Sequence, residues 1–288
     1  MISKIALLGA NGFIGNKFHQ FLLKANHRVY PITRKECNLL DKLQTKKILK
    51  QINPDYIINS AGFTGKPNVD ACELDQKTCW EQNYTLPKYL AEICNDLNKK
   101  WLHVSSGCIY SGSKNGKGFD ENDEPNFSFD KQPCSFYSGT KAIAEDLLKK
   151  ENNVYIARLR IPFDDYNSPK NYLTKLLNYN CLLNAENSMS NTQEFIEACC
   201  YLLLNEKETG IYNITNTGSI NTFDITKLLN KYITRKKFTF FESEEEFYKK
   251  AAKTPRSNCV LDNSKLLKSE FKIENIHDKI EYCIKNYS

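Results

Sequence analysis

The sequence has few of the residues on which metal sites and disulfide frameworks depend. Its 288 residues include only four histidines, none at ligand spacing from another, and eleven cysteines without a C-x-x-C pair. Because the cysteine count is odd and Cys199 and Cys200 are adjacent within an apolar helix pattern, free thiols in a reducing cytosol are expected. The sequence therefore predicts a cytoplasmic protein with neither a metal site nor a disulfide scaffold.

Long apolar runs and clusters of like charge are also missing. No apolar run is long enough to span a bilayer, and the short one at the N-terminus ends in a glycine-rich turn, as expected of a buried first strand. The formal net charge is +6, but the lysines are interleaved with acids and form no basic stripe. This distribution favours a solvated surface over nucleic-acid binding, and no membrane partner is expected.

What the sequence does contain is an alternation of apolar, β-rich runs with helical patterns. Strands are predicted at 4–8, 27–32, 55–59, 101–104, 154–158 and 210–215, and helices at 14–23, 43–51, 84–97 and 136–149. Apolar strands separated by crossover helices indicate an α/β fold, with a doubly wound parallel sheet of the Rossmann type. Residues 1–163, with a further strand near 210–216, are predicted to bind a cofactor. Residues 164–288 are assigned mainly to a smaller, interleaved substrate-binding lobe.

A G-x-x-G-x-x-G turn follows the first strand and opens the first helix. Glycines at these positions let backbone N–H groups approach a pyrophosphate, which the helix N-terminus then stabilises. The motif predicts a dinucleotide site, and the alternative is a glycine-rich turn without a ligand. The predicted cofactor contacts in this turn are Gly9, Asn11, Gly12, Phe13, Ile14 and Gly15.

The end of the second strand indicates which dinucleotide binds. Where NAD enzymes carry an acid for the ribose hydroxyl, this sequence has Arg34, and a guanidinium suits a 2′-phosphate. NADP(H) is therefore favoured over NAD(H), although the acidic Glu36 nearby weakens this preference. Asp41 is predicted to lie beside the adenine or, equally, to be an exposed loop acid. Ala61 and Gly62, after the third strand, are predicted to pass close to the cofactor.

A Y-x-x-x-K pair, Tyr137 and Lys141, begins a predicted helix downstream of Ser106, which ends the fourth strand. Residues four apart share one helical face, so the Lys141 ammonium is expected near the Tyr137 phenol, where it favours the ionised form. Such a pair alone is common on protein surfaces. Its position after a glycine-rich turn and Ser106 favours general acid/base catalysis instead.

Together these motifs resemble the extended short-chain dehydrogenase/reductase superfamily. Other segments resemble, nearly end to end, the UDP-4-keto-6-deoxyglucose 3,5-epimerase/4-reductases of UDP-L-rhamnose synthesis, and more distantly GDP-fucose synthase and dTDP-4-dehydrorhamnose reductase. The loop Ser111–Gly118 departs from that family. The segments that carry the resemblance are Ala61–Asp70, Gly107–Tyr110, Glu124–Phe127, Ser168–Lys175, Asn187–Met189 and Pro255–Asn258.

The resemblance implies a role for each catalytic residue. Ser106 would polarise the substrate carbonyl, Tyr137 would donate the proton, and Lys141 would hold the nicotinamide ribose and depress the tyrosine pKa. Cys108 lies two residues past Ser106 and points the same way on an extended segment. In the similar enzymes a cysteine at this place serves as one epimerase acid/base, and Lys175 matches the lysine that would be its partner.

Substrate contacts are expected on both sides of these residues. Asn171 and Lys175 are four apart on one predicted helix, so both can face the sugar. Arg256 with Asn258 would clamp the diphosphate by charge-assisted hydrogen bonds, and Thr64 lies in a segment that carries the resemblance.

Plain structural roles remain open for several of these residues. Cys108 could be a buried small hydrophobe, and Lys175 an exposed helix lysine. Arg256 and Asn258 could belong to a surface loop. Asn83 could either position the cofactor or cap a helix.

The sequence thus predicts a bifunctional enzyme that converts UDP-4-keto-6-deoxy-D-glucose and NADPH to UDP-L-rhamnose. One alternative is a nucleotide-sugar 4-ketoreductase without epimerase activity, for which Cys108 and Lys175 would be dispensable. The other is a catalytically silent NADP-binding regulatory subunit, against which the complete set of Ser106, Tyr137 and Lys141 argues. The nucleotide base, the order of the epimerisations and the oligomeric state, with a homodimer as one alternative, are left open.

Overall fold

The computed structural model describes residues 2–66 and 68–288. Met1, and Pro67 within the segment Ala61–Asp70, lie outside the described residues. The strands are β1 (Lys4–Leu8), β2 (Arg28–Ile32), β3 (Tyr56–Asn59), β4 (Lys100–Ser106), β5 (Val154–Leu159), β6 (Pro162–Phe163), β7 (Cys181–Leu182), β8 (Glu186–Asn187), β9 (Ser190–Asn191), β10 (Gly210–Asn213), β11 (Ile220–Asn221) and β12 (Thr239–Phe240).

Helices connect most of these strands, and a π-helical turn (Glu81–Thr85) lies between the fourth and fifth helices. The helices are α1 (Phe13–Lys24), α2 (Lys42–Ile52), α3 (Ala71–Leu74), α4 (Gln76–Trp80), α5 (Leu86–Asp96), α6 (Phe136–Leu148), α7 (Tyr172–Asn178), α8 (Thr192–Leu204), α9 (Thr222–Tyr232), α10 (Glu244–Lys250), α11 (Ser264–Lys268) and α12 (Ile276–Lys285).

Six parallel strands form the central sheet in the order β10-β5-β4-β3-β1-β2. The register pairs Leu8 with Asn59 and Ser106 with Leu159, so the carboxyl ends of four strands share one edge. The strand order reverses between β1 and β3, and ligands bind at such a switch point in open α/β sheets. The predicted doubly wound parallel sheet is confirmed.

Helices cover both faces of the sheet, as the alternation of its side chains requires. Leu7 packs with α1 and α8, whereas its neighbour Leu8 packs with α2, α5 and α6. Each fully buried side chain of this size contributes about 1.5–3 kcal/mol. Because α8 and β10 come from beyond residue 163, the sheet and its covering layers draw on both halves of the chain.

A second apolar cluster lies under α7, α9 and α12 and includes Phe163, Leu176, Ile225 and Ile280. Three two-stranded ladders, β6–β9, β7–β12 and β8–β11, join segments that are distant in sequence. Lys175 lies on α7, one of the helices that cover this cluster.

Two further sequence expectations concern the chain as a whole. The eleven cysteines all lie among the described residues and are free thiols, as predicted. None of the helices within residues 2–66 and 68–288 has the length and apolar character needed to cross a bilayer.

Candidate active site

The glycine-rich turn forms a close-packed cradle between β1 and α1. Gly9 has a φ of +76°, and a Cβ there would lie 2.6 Å from the Ala61 nitrogen; a Cβ on Gly15 would lie 2.1 Å from the Gly9 oxygen. Gly12 occupies the N-cap of α1, and no side chain of the described residues caps that helix. Backbone N–H groups of the first turn are therefore free for an anion. The cradle fits the pyrophosphate of a dinucleotide.

Asn83 holds the loop that follows β3, opposite this cradle. It is fully buried in the π-helical turn; its side-chain oxygen accepts from the Phe63 N–H and its Nδ2 donates to the Phe63 oxygen, each at 2.9 Å. A Cβ on Gly62 would lie 3.2 Å from Asn83 Oδ1 and 3.7 Å from Lys141 Nζ. Asn83 therefore fixes the loop beside the lysine and does not cap a helix.

The turn after β2 presents the predicted cofactor-selecting residues. Arg34 is exposed. The Glu36 carboxylate instead accepts from the Thr33 N–H at 2.8 Å and from the Thr33 hydroxyl, bonds that hold the pKa of Glu36 below its ordinary value. Asp41 caps α2 by accepting from the Gln44 N–H at 2.9 Å. The nearby acid is thus occupied within its own turn, beside the exposed cations Arg34 and Lys35.

Ser106, Tyr137 and Lys141 come together at the carboxyl end of β4. Ser106 ends that strand, whereas Tyr137 and Lys141 lie on the first turns of α6, which Ser135 caps by accepting from the Ser138 N–H at 3.1 Å. All three catalytic candidates are buried, and Lys141 Nζ donates to the Val104 oxygen at 3.4 Å. The Y-x-x-x-K spacing therefore produces the expected proximity of the helix to the strand end.

Burial sets the protonation of this pair in a direction that the spacing does not predict. It raises the pKa of Tyr137 above its ordinary range, a rise that a hydrogen bond with Ser106 partly offsets. Burial also lowers the pKa of Lys141 to about 8. The expected depression of the tyrosine pKa by Lys141 is not observed, because removal of the phenol from water dominates. Tyr137 is consequently a neutral phenol, able to donate a proton.

Cys108 lies beside Ser106, as predicted, but its main partner is a residue that the sequence analysis missed. The Cys108 N–H donates to Ser106 Oγ at 3.2 Å, and Arg160 Nη1 donates to Cys108 Sγ at 3.0 Å. Arg160 follows β5 directly, and the register of β5 with β4 brings it to the same edge. The sequence signal was an arginine at the carboxyl end of the neighbouring strand. A half-buried Cys108 with a charged donor is not a plain apolar side chain.

Lys175 belongs to a group of neighbouring cations. Burial lowers its pKa, and the nearby Lys170 and Arg256 lower it further by repulsion. Lys170, which the sequence analysis also missed, donates to Thr64 Oγ1 at 3.2 Å and so brings Thr64 to this group. Lys175 is therefore not an exposed helix lysine. Converging cations of this kind suit an anionic ligand.

Arg256 lies between an acid and an open cavity. Its Nη2 pairs with Asp70 Oδ2 at 2.7 Å, while Asn258 accepts from Asn187 Nδ2 at 3.2 Å. The cavity measures about 530 Å³, and Phe127 and Tyr248 line it together with Arg256. Two aromatic side chains beside a guanidinium provide surfaces on which a nucleotide base and its phosphates can bind.

Asn171 does not face the sugar side, contrary to expectation. It is fully buried at the N-cap of α7, where its oxygen accepts from the Leu173 N–H at 3.0 Å and the Asp164 N–H at 3.2 Å. Its Nδ2 donates to the Asp164 and Tyr166 carbonyl oxygens. The prediction failed because the helix begins one residue later than the pattern suggested, which turns Asn171 into a cap.

Comparisons with known proteins identify the family of this chain. The family model described as RmlD substrate binding domain matches residues 3–288. A bifunctional dTDP-4-dehydrorhamnose 3,5-epimerase/dTDP-4-dehydrorhamnose reductase of Arabidopsis thaliana is 34% identical over 92% of the chain and 86% of its own length. A trifunctional UDP-glucose 4,6-dehydratase/UDP-4-keto-6-deoxy-D-glucose 3,5-epimerase/UDP-4-keto-L-rhamnose-reductase of the same plant is 31% identical over 96% of the chain. The chain spans only 41% of that relative's length.

Solved structures extend the likeness to the whole fold. The UDP-rhamnose synthase of Acanthamoeba polyphaga mimivirus superposes with a TM-score of 0.91 and 26% identity, covering 99% of this chain and all of that one. The NADP complex of dTDP-4-dehydrorhamnose reductase from Bacillus anthracis has a TM-score of 0.81 over the full chain and 98% of its own; at 19% identity it supports the fold alone. The resemblance inferred from the sequence is confirmed. The chain belongs to the RmlD substrate binding domain family, with rhamnose synthases and dehydrorhamnose reductases among its relatives.

Proposed function

We propose that this protein is a bifunctional 3,5-epimerase/4-reductase that converts UDP-4-keto-6-deoxy-D-glucose to UDP-L-rhamnose with NADPH. Its relatives with 3,5-epimerase and reductase names, 34% and 31% identical, support this assignment. The observation that carries it is the Cys108 thiol beside Ser106, with a charged donor 3.0 Å from its sulfur. Reduction by NADPH with Ser106 and Tyr137 does not require a second acid/base group at this place.

The cofactor would lie across the switch point of the sheet. The cradle Gly9–Gly15 would hold its pyrophosphate, and Arg34 its 2′-phosphate. Gly62 and Lys141 would lie at the nicotinamide ribose, where a side chain on Gly62 would crowd Asn83. Bound NADPH supplies hydride to the sugar ketone. We propose that Ser106 donates a hydrogen bond to the C-4 carbonyl, and that the neutral phenol of Tyr137 supplies the proton that completes the alcohol.

Epimerisation would precede that step. Removal of the proton α to the ketone, at C-3 and then C-5, gives an enolate whose oxygen Ser106 and Tyr137 can stabilise. We propose that Cys108 exchanges the proton on one face of the ring and Lys175 on the other. Burial and two neighbouring cations lower the pKa of Lys175, which makes its ammonium a stronger proton donor to the enolate.

The nucleotide would bind on the side of the cations. Arg256 and Lys170 would contact the diphosphate by charge-assisted hydrogen bonds, with Thr64 held nearby by Lys170. The cavity beside Arg256 would take the uracil against Phe127 and Tyr248. Asn258 would act through Asn187, to which it is hydrogen-bonded.

Hydrogen exchange without NADPH tests this proposal, because enolisation needs no hydride. In D₂O the wild-type protein should exchange the C-3 and C-5 protons of the 4-keto sugar, as followed by NMR. Cys108→Ser and Lys175→Ala should each slow exchange by the roughly 10²- to 10⁴-fold typical of losing a general acid/base. Both variants should reduce an already epimerised 4-keto-L-rhamnose nucleotide better than they exchange protons.

Cys181→Ser is the matched control, because Cys181 is also a half-buried cysteine but lies in β7, away from the residues proposed for catalysis. It should exchange like the wild type. If Cys108→Ser and Lys175→Ala also exchange at the wild-type rate, the epimerase assignment is wrong and a 4-ketoreductase without epimerase activity replaces it.

A further inference from the structure

Arg160 is buried behind Cys108, where three segments of the chain meet. Its side chain is 2% exposed, at the end of β5. Besides the bond from Nη1 to Cys108 Sγ at 3.0 Å, Nη2 donates to Asn187 Oδ1 and to the Ser257 oxygen at 2.6 Å. Among the described residues, Nε has no hydrogen-bond partner. The bonds on Nη1 and Nη2 aim the guanidinium at the sulfur.

The neighbouring Arg158 shows what is unusual about this arrangement. Arg158, two residues earlier on β5, is also buried, and its Nη2 pairs with the Glu145 carboxylate at 2.5 Å. Arg160 instead has a thiol, an amide and a backbone carbonyl as its partners in the described structure. A buried cation is strongly disfavoured without an anion beside it. Of the three hydrogen-bond partners of its guanidinium, the thiol of Cys108 is the one that can become that anion.

No carboxylate is hydrogen-bonded to Cys108 or to the Arg160 guanidinium within the described residues. The cations that face Cys108 are Arg160 and Lys141. The other titratable groups around it are Tyr137 and three thiols, those of Cys72, Cys79 and Cys259. Burial raises the pKa of Tyr137 and Cys259, whereas a hydrogen bond with Cys72 lowers the pKa of Cys79 to about 7. Arg160 is the cation hydrogen-bonded to the Cys108 sulfur, and it favours negative charge there.

We propose that Arg160 is a positioning residue that holds Cys108 as a thiolate, the form that accepts a proton from the sugar, and that Asn187 orients Arg160 for this purpose. The inference rests on the proposed epimerase function and deepens it. In the proton transfer, the C–H bond α to the ketone breaks, the thiolate takes the proton, and the electron pair of that bond passes to the enolate. Lys175 then supplies a proton to the opposite face, and exchange with solvent restores both groups.

Alkylation measures the thiolate directly and does not depend on catalysis. The full-length protein is treated with limiting iodoacetamide at pH 7, and the labelling rate of Cys108 is followed by peptide mass spectrometry. In Arg160→Met this rate should fall by about tenfold or more, because the thiolate is the nucleophile. Cys134 and Cys181, which are likewise half-buried, serve as references within the same molecule and should keep their rates.

A purely structural role predicts the opposite result. If Arg160 only ties Asn187 and Ser257 to β5, its loss loosens the site, so that Cys108 and the buried Cys259 should be alkylated faster. An unchanged or increased Cys108 rate would overturn the proposal.

Asn187→Asp gives a second test that does not remove the buried guanidinium. The new carboxylate would pair with Arg160 in place of the thiolate, so labelling of Cys108 should slow although the fold is kept. A structural arginine would be held more firmly by this carboxylate, with no loss of Cys108 labelling, and that result would contradict the proposal.

The pH profile of proton exchange connects the thiolate to function. In Arg160→Met the pH of half-maximal exchange at C-3 and C-5 should rise by at least about one unit, and Arg160→Lys should restore part of the shift. An unchanged profile in both variants would refute the role of Arg160 while leaving the epimerase assignment intact. If the wild type does not exchange at all, the proposed function fails, and the alkylation rates still decide whether Arg160 stabilises the thiolate.

Discussion

The cofactor edge and the sugar side of this site are assembled in different ways. At the cofactor edge, Gly9, Ser106, Tyr137 and Lys141 lie at the ends of parallel strands or on the first turns of one helix. On the sugar side, contacts join residues far apart in sequence: Arg256 to Asp70 across 186 positions, Lys170 to Thr64 across 106, and Arg160 to Ser257 across 97. Regular elements thus place the groups for reduction, whereas contacts between distant segments hold the residues around Cys108 and Lys175, which are proposed for epimerisation.

The largest expected effect is that of Tyr137→Phe, which should impair reduction at the cofactor edge more than proton exchange on the sugar side. Tyr137→Phe should lower kcat for reduction by roughly 10²-fold or more, the usual scale for a positioned general acid. Proton exchange without NADPH should fall less, because Ser106 still stabilises the enolate. The measurement is steady-state reduction of the epimerised 4-keto sugar beside the exchange assay. Cys108→Ser should show the reverse pattern, with proton exchange falling more than reduction.

Tyr155→Phe is the matched control for Tyr137→Phe. Tyr155 is fully buried in β5 and donates to the Lys207 oxygen at 2.7 Å, away from the site. It should lose about 1 kcal/mol of stability and keep its kcat. Undiminished turnover in Tyr137→Phe would show that this protein does not use the mechanism of the superfamily.

The same contrast explains what the sequence could predict. Hydrophobic periodicity predicted the parallel sheet, and a strand-end serine followed by Y-x-x-x-K predicted the grouping of Ser106, Tyr137 and Lys141, because regular structure converts spacing into position. The sequence did not predict that burial would raise the pKa of Tyr137, since burial depends on the packing of the whole fold. Lys170 was missed for a related reason, because its contacts are tertiary and leave no local pattern. Arg160 was missed although its place directly after the fifth strand was a signal, because its contact with Cys108 is also tertiary.

A smaller effect is expected at the outer end of the cofactor edge. Arg34→Ala removes a charge-assisted bond to the 2′-phosphate, with a contribution of about 1.5–3 kcal/mol, so the KM for NADPH should rise about 10- to 100-fold. The KM for NADH should stay nearly constant. Lys35→Ala, in the same turn, is the control and should have little effect on either. Equal increases for both cofactors would show that Arg34 is structural and that the turn does not select NADPH.

The smallest effect tests whether Lys141, a residue proposed for catalysis at the cofactor edge, lowers the stability of the folded protein. Burial holds the pKa of Lys141 at about 8, below the ordinary 10.5. Since the folded protein binds this proton less tightly than the unfolded chain, the charge destabilises the fold fully below pH 8, and the penalty disappears as pH rises toward 10.5. Lys141→Met should therefore raise the free energy of unfolding by about 1–2 kcal/mol at pH 7 while abolishing reduction.

Urea unfolding between about pH 6.5 and 9.5 measures this difference, with Lys150→Met, an exposed lysine just beyond α6, as the control. The gain in Lys141→Met should shrink steadily above pH 8, where the wild-type lysine loses its proton. A gain of the same size at every pH would come from packing of the methionine, and no gain at all would mean that the lysine is not destabilising. The expected pH dependence would show that the cofactor edge retains a charge that opposes folding. On the sugar side, by contrast, the buried charge of Arg160 is matched by the anion it is proposed to stabilise.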